Sequence, residues 1–152
     1  MLVVICFYME VICLAITPLA DKKEITRIIS EDEYLKSLGF SDEFIYNTNT
    51  TDELIQEGNK QIFIYEAPSR GVRNSVSVQC VIQIDVSAPL SQASIVSKAI
   101  EQINALLHDR QLGRHSKMEL DTYGNLTCPH GFYCKGIRFV YFATKYNEIK
   151  KI

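Results

Sequence analysis

The sequence predicts an α+β domain: a mainly antiparallel β-sheet packed by one long amphipathic helix, with a helical segment ahead of it. Three stretches carry this reading. Residues 76–86 alternate strictly, with Val76, Val78, Cys80, Ile82, Ile84 and Val86 on one face and Gln79, Gln83 and Asp85 on the other, the period of two that a strand requires. Residues 91–107 set Ile95, Val96, Ala99, Ile100, Ile103, Leu106 and Leu107 at helical spacing opposite Ser94, Lys98, Glu101, Gln102 and Asn104, so one stripe of that helix must be buried. Residues 132–146 alternate again, Ile137, Phe139, Tyr141 and Ala143 against Arg138, Val140, Phe142 and Thr144. The 152 residues suit a single domain spanning 1–152, helix-rich over 1–58 and built of sheet plus helix over 59–152. Apolar residues make up 47% of the chain, enough for a real core.

Taken in order, residues 1–20 are almost wholly apolar. A secretory signal would need a basic start, which is missing here. Glu10 and Pro18 interrupt the run before it reaches the roughly 20 apolar residues that span a bilayer. The expected role is a buried or interface-packed helix or strand. Thr17-Pro18 reads as an N-cap and first-turn proline. Ile25, Ile28 and Ile29 then share a helical face. Ser30-Glu31-Asp32-Glu33 reads as a capping box for a short helix carrying Tyr34, Leu35 and Leu38, stopped by Gly39. Ser41 reads as another cap, 47–51 as a polar loop, and 52–56 as one more helical turn.

Residues 61–65 (Gln-Ile-Phe-Ile-Tyr) carry bulky side chains on both faces and so predict a strand covered on both sides. The segment 68–74 then holds Arg70, Gly71, Arg73 and Asn74. It reads either as an ordinary hairpin loop or as a two-arginine loop that reaches an acidic neighbour. After 76–86 the Pro89 turn and Ser91 as N-cap lead into the long helix, and Gly113 is its predicted stop. A short strand over 118–120, a turn at Tyr123-Gly124-Asn125 and the strand from Phe132 complete the chain.

Net charge is −2, which offers no bulk attraction for nucleic acid. The charge is unevenly placed. Glu31, Asp32, Glu33, Asp42, Glu43, Asp52, Glu53 and Glu57 face only Lys36 in their stretch, whereas residues 110–151 are mildly basic. Opposite charge at the two ends favours head-to-tail self-association. Five cysteines at irregular spacing do not form a secreted disulfide framework. Cys128, His130 and Cys134 are the one cluster with metal-type ligands, but their spacing is not that of a zinc site, and His115 would have to supply a fourth ligand. A turn followed by a core cysteine is the expected reading. Arg110, Arg114 and Arg138 are read as scattered surface charge. Asp85 is read as a surface or strand-end carboxylate, with no acid, base or metal partner near it in sequence. The sequence holds no glycine-rich phosphate loop, nucleophile elbow or zinc-protease helix. No catalytic residue, metal or cofactor is therefore expected.

The order of elements resembles the small tail-terminator and head–tail joining proteins of tailed bacteriophages. The resemblance lies in 61–68 (Gln-Ile-Phe-Ile-Tyr-Glu-Ala-Pro), 81–87 (Val-Ile-Gln-Ile-Asp-Val-Ser), 99–107 (Ala-Ile-Glu-Gln-Ile-Asn-Ala-Leu-Leu) and 136–141 (Gly-Ile-Arg-Phe-Val-Tyr). It is one of fold pattern and covers about 61–146; the apolar start lies outside it. It implies a non-enzymatic virion protein, assembled in the host cytoplasm, that forms a ring, commonly a hexamer. Such a ring caps the tail tube, meets the neck or connector, and needs neither a specific nucleic acid nor a membrane. Under this reading Arg70, Arg73, Gln79, Gln83 and Asp85 are the expected contact residues toward a neighbouring subunit or the tube. The alternatives are another neck or head-completion connector, or, in a different class, a small metal-binding or secreted bacterial protein.

Overall fold

The computed structural model describes residues 19–67, 77–113 and 115–144. The elements are α1 (Leu19–Glu31), α2 (Glu33–Ser37), a 3-10 turn (Asp42–Phe44), β1 (Ile45–Tyr46), α3 (Asp52–Glu57), β2 (Gln61–Glu66), β3 (Ser77–Pro89), a second 3-10 turn (Leu90–Gln92), α4 (Ala93–Leu107), β4 (Glu119–Asn125) and β5 (Phe132–Thr144). The strands form one sheet in the order β1-β2-β3-β5-β4. Among the described residues, the β1–β2 pair is parallel and the other strand pairs are antiparallel. The α+β expectation of a mainly antiparallel sheet with one long helix is what the chain adopts.

The sheet is organised around β3 and β5, which pair over their whole lengths from Ser77↔Thr144 to Pro89↔Phe132. One sheet face carries Ile62, Ile64, Cys80, Ile82, Ile84, Val86, Ile137, Phe139 and Tyr141, all buried. Against it lies the apolar stripe of α4, namely Val96, Ala99, Ile100, Ile103 and Leu107. Ile25, Ile28 and Ile29 of α1 join the same core. Each large aliphatic side chain buried there contributes about 1.5–3 kcal/mol. Ala105 of the same helix lies off this stripe and is exposed.

The opposite sheet face has a smaller cover. Ile55 of α3, Phe63 and Cys134 form a second cluster, with Tyr46, Leu54, Tyr65, Cys128 and Phe132 packed against it. Tyr46 stacks on Phe63 with ring centroids 5.3 Å apart. β2 is therefore covered on both faces, as its sequence requires.

Several boundaries differ from expectation. The N-cap of α2 is Asp32, whose carboxylate accepts from the Leu35 amide at 2.9 Å, rather than Ser30. Gly39 does end this helix, at φ +99°, where only glycine is unstrained. Ser41 makes no side-chain cap, and Thr51 caps α3. The Leu90–Gln92 turn takes the place of a Ser91 N-cap. α4 stops at Leu107, not at Gly113, because His108 is already extended and Asp109 turns to φ 63°. β4 runs through Tyr123-Gly124-Asn125, which the sequence suggested as a turn; register with Ile137, Gly136 and Lys135 extends it. The Thr17-Pro18 cap and the apolar start lie outside the described residues. Among the described residues, no helix is long and apolar enough to cross a membrane.

Candidate functional site

The sheet face turned away from α4 carries a chain of polar side chains. Alternation along β2, β3 and β5 places Tyr65, Gln83, Asp85, Gly136 and Arg138 together on that face, since Gln83 registers with Arg138 and Asp85 with Gly136. Asp85 is 3% exposed and Gln83 7% exposed. The expectation of a surface or strand-end carboxylate at Asp85 is thereby corrected.

Asp85 survives burial because its oxygens are occupied. Oδ2 accepts from the hydroxyls of Thr50 at 2.6 Å and Tyr65 at 2.7 Å, and Oδ1 accepts from Gln83 Nε2 at 2.7 Å. Hydrogen bonds to a charged acceptor contribute about 1.5–3 kcal/mol each, which is what a buried carboxylate needs to offset desolvation. Gln83 in turn accepts, through Oε1, from Arg138 Nε at 2.9 Å. Burial, and next the hydrogen bond to Asp85, push the Tyr65 phenol above its ordinary range. Tyr65 is therefore a fixed donor and not a base. Both Asp85 oxygens and the Gln83 carbonyl are occupied, and Arg138 is tied to the network through Nε.

Gly136 makes the network possible. A Cβ there would lie 2.5 Å from Gln83 Nε2, 2.8 Å from Asp85 Oδ1 and 3.0 Å from Leu126 Cδ1. Above this floor is an open cleft of about 340 Å³, lined by Tyr65, Gln83, Leu126, Gly136, Arg138 and the 122–125 stretch of β4.

Of the five expected contact residues, the structure brings Gln83 and Asp85 together and leaves Gln79 half-buried further along the same face of β3. Arg70 and Arg73 lie outside the described residues. The residues that sequence reading missed are Thr50, Tyr65, Gly136 and Arg138. Arg138 was visible as the one cation on its face of β5, but its meeting with Gln83 depends on the strand register.

The other candidate cluster does not converge. Cys128 Sγ donates to the Phe132 carbonyl at 3.1 Å and Cys134 is buried. Burial first, and next the hydrogen bond with Cys128, raise the Cys134 thiol well above its usual range. His115 stands elsewhere, with Nε2 3.3 Å from Asp21 Oδ2. Among the described residues, no three His, Cys, Asp or Glu side chains gather as a metal site would require. Arg110 turns its Nε to the Leu106 carbonyl at 2.9 Å instead of joining Arg138.

No family model matches the sequence, and no curated protein matches it. Among solved structures the fold is similar to a chain from the virion of a native gene transfer agent particle. The two align with a TM-score of 0.62 at 10% identity, over 79% of this chain and 91% of that one. Likeness at this identity shows a shared fold. A second solved chain aligns over 81% of this one at a TM-score of 0.46, too loose to carry an argument.

Proposed function

We propose that this chain is a structural subunit of a tailed phage or phage-like particle, without enzymatic activity, that assembles into a ring, commonly sixfold, closing the tail tube and joining it to the head or neck. The observation that carries this reading is the fold shared with a chain of a gene transfer agent virion, matched over 91% of that chain. The resemblance of residues 61–146 to tail-terminator and head–tail joining proteins points to the same class. The polar network fits it too, because it orients a guanidinium for recognition. The partners are further copies of this chain, the tail tube protein and the neck or connector protein, and the site of action is the assembled virion. Arg70, Arg73, Gln79, Gln83 and Asp85 are the contact residues proposed for this assembly, Gln83 and Asp85 lying buried in the network that holds Arg138.

The test is the state of the purified full-length chain at micromolar concentration, by mass photometry and negative-stain microscopy. Closed rings of uniform size are expected. A stable monomer at every concentration would overturn the proposal.

A further inference from the structure

The two cysteines that do not gather as metal ligands are neighbours of each other. β4 and β5 pair through Gly124↔Gly136 and Asn125↔Lys135, and the Leu126 amide extends this ladder by donating to the Cys134 carbonyl at 3.0 Å. Leu126 lies against Gly136 on the sheet face away from α4. Side chains two residues apart on extended chain share a face. Cys134, two residues before Gly136, and Cys128, two residues beyond Leu126, therefore come to the same side. Cys128 packs against the cluster of Ile55, Phe63 and Cys134, and the Cys128 and Cys134 thiols are in hydrogen-bonding contact.

The connecting turn holds them there. The Phe132 amide donates to the Pro129 carbonyl at 3.2 Å, Gly131 turns through φ +88°, and the Gly131 carbonyl accepts from the Leu90 amide at 2.9 Å. The Cys128 thiol is aimed inward, donating to the Phe132 carbonyl at 3.1 Å. The two sulfurs differ in access, since Cys128 is half-buried and Cys134 is buried. Cys80, the other described cysteine, belongs to the core on the α4 side of the sheet and competes for neither.

We propose that Cys128 and Cys134 are a reversible redox pair that closes to an intramolecular disulfide when the chain meets a low-molecular-weight disulfide such as oxidised glutathione. The more accessible Cys128 reacts first. Its thiolate attacks one sulfur of the oxidant, the oxidant's S–S bond breaks, one thiol is released, and Cys128 is left in a mixed disulfide. The Cys134 thiolate then attacks Cys128 Sγ, and the second thiol leaves. The protein gives up two electrons and two protons, and the oxidant is reduced to two thiols. The new bond closes a short ring over residues 129–133 and clamps the chain next to Leu126, which lines the cleft over Gly136. A cross-link removes freedom from the unfolded chain and so stabilises the fold. The pair is open in a reducing compartment and closed in an oxidising medium. The inference needs no assumption about assembly, so its failure leaves the proposed function standing.

The test uses the purified full chain, reduced, freed of reductant and then incubated with oxidised glutathione. Cys128→Ser and Cys134→Ala variants are treated alike. Intact mass, non-reducing peptide maps and thermal melts are read before and after. Wild type is expected to lose about 2 Da as two hydrogens leave, and to give one cross-linked peptide joining Cys128 to Cys134. Its melting temperature should rise by about 5 °C, and dithiothreitol should reverse all three changes. Neither variant should show the cross-link or the rise. A lasting glutathione adduct on Cys128 without the cross-link would overturn the inference, as would an unchanged mass. A map that joins either residue to Cys6, Cys13 or Cys80 would do the same. A cross-link that leaves the melting temperature unchanged or lower would overturn the stabilising clamp. If a variant does not fold, the wild-type peptide map decides alone.

Discussion

At the scale of single residues, the decisive group is Asp85, a carboxylate 3% exposed in mid-strand. Removing it strands three donors, from Thr50, Tyr65 and Gln83, around a position that is itself buried. An unmade buried hydrogen bond costs about 1–3 kcal/mol. Asp85→Ala is therefore expected to lower stability by about 3 kcal/mol. Gly136→Ala attacks the same network from the neighbouring strand, because the added methyl occupies the space of the Gln83 amide and the Asp85 carboxylate. Overpacking of this kind costs about 1–3 kcal/mol, and in a chain of this size each kcal/mol shifts the melting temperature by about 2–4 °C. Thermal melts check both. A Gly136→Ala protein that melts within about 1 °C of wild type would show that the network yields at little cost. The sequence made the polar face of β3 legible through Gln79, Gln83 and Asp85, but it did not reveal that two of the three are buried. Asp85 is bonded by Thr50, 35 residues before it, and Leu126, 41 residues after it, lies against Gly136 at its side. A periodicity of two reports which side chains share a face. It is silent on what lies over that face.

At the scale of elements, α1 is held to the sheet by a polar latch as well as by Ile25, Ile28 and Ile29. The Tyr141 hydroxyl, on a side chain 1% exposed, donates to Asp21 Oδ2 at 2.8 Å, and the Tyr141 ring lies 5.9 Å from that of His115. Burial, and next the negative charge of Asp21, hold the Tyr141 phenol far above the ordinary tyrosine range. The sign follows from linkage. A raised folded-state pKa means that the unfolded chain loses this proton first, so the stability it contributes is intact below about pH 10 and declines as pH rises beyond that. One such tyrosine steepens the decline by as much as about 1.4 kcal/mol per pH unit. Urea midpoints between pH 8 and 11.5 are expected to fall more gently for Tyr141→Phe than for wild type, despite a lower starting stability. Parallel decline in the two proteins would mean that this phenol ionises as freely in the folded state as in the unfolded one. The elements themselves were mostly legible, because β3, α4 and β5 each bury one clean stripe. The ends were not. Asp32 outcompetes Ser30 as a cap through its bond to the Leu35 amide, and β4 continues over Tyr123-Gly124-Asn125 because β5 offers it partners there. Both outcomes depend on tertiary neighbours that local turn chemistry does not encode.

At the scale of the whole molecule, the two arginine sets are held differently. Arg138 is built into the sheet through Gln83 and Asp85. Arg70 and Arg73 belong to the segment linking β2 to β3, four residues after Glu66 and four before Ser77 respectively. A linking segment tolerates variation in ways a sheet does not, which suits contact with a different protein such as the tail tube. Reversing both charges, Arg70→Glu with Arg73→Glu, should leave the isolated ring intact, because neither residue belongs to β2 or β3. Particles assembled with that variant should carry heads and tails that do not join, a difference visible directly by electron microscopy. The loss should be near complete, since each reversed charge replaces an attraction with a repulsion and like charges set against each other at an interface cost several kcal/mol. Joined particles at wild-type frequency would remove Arg70 and Arg73 from the contact. Loss of the ring itself would move them to the subunit interface.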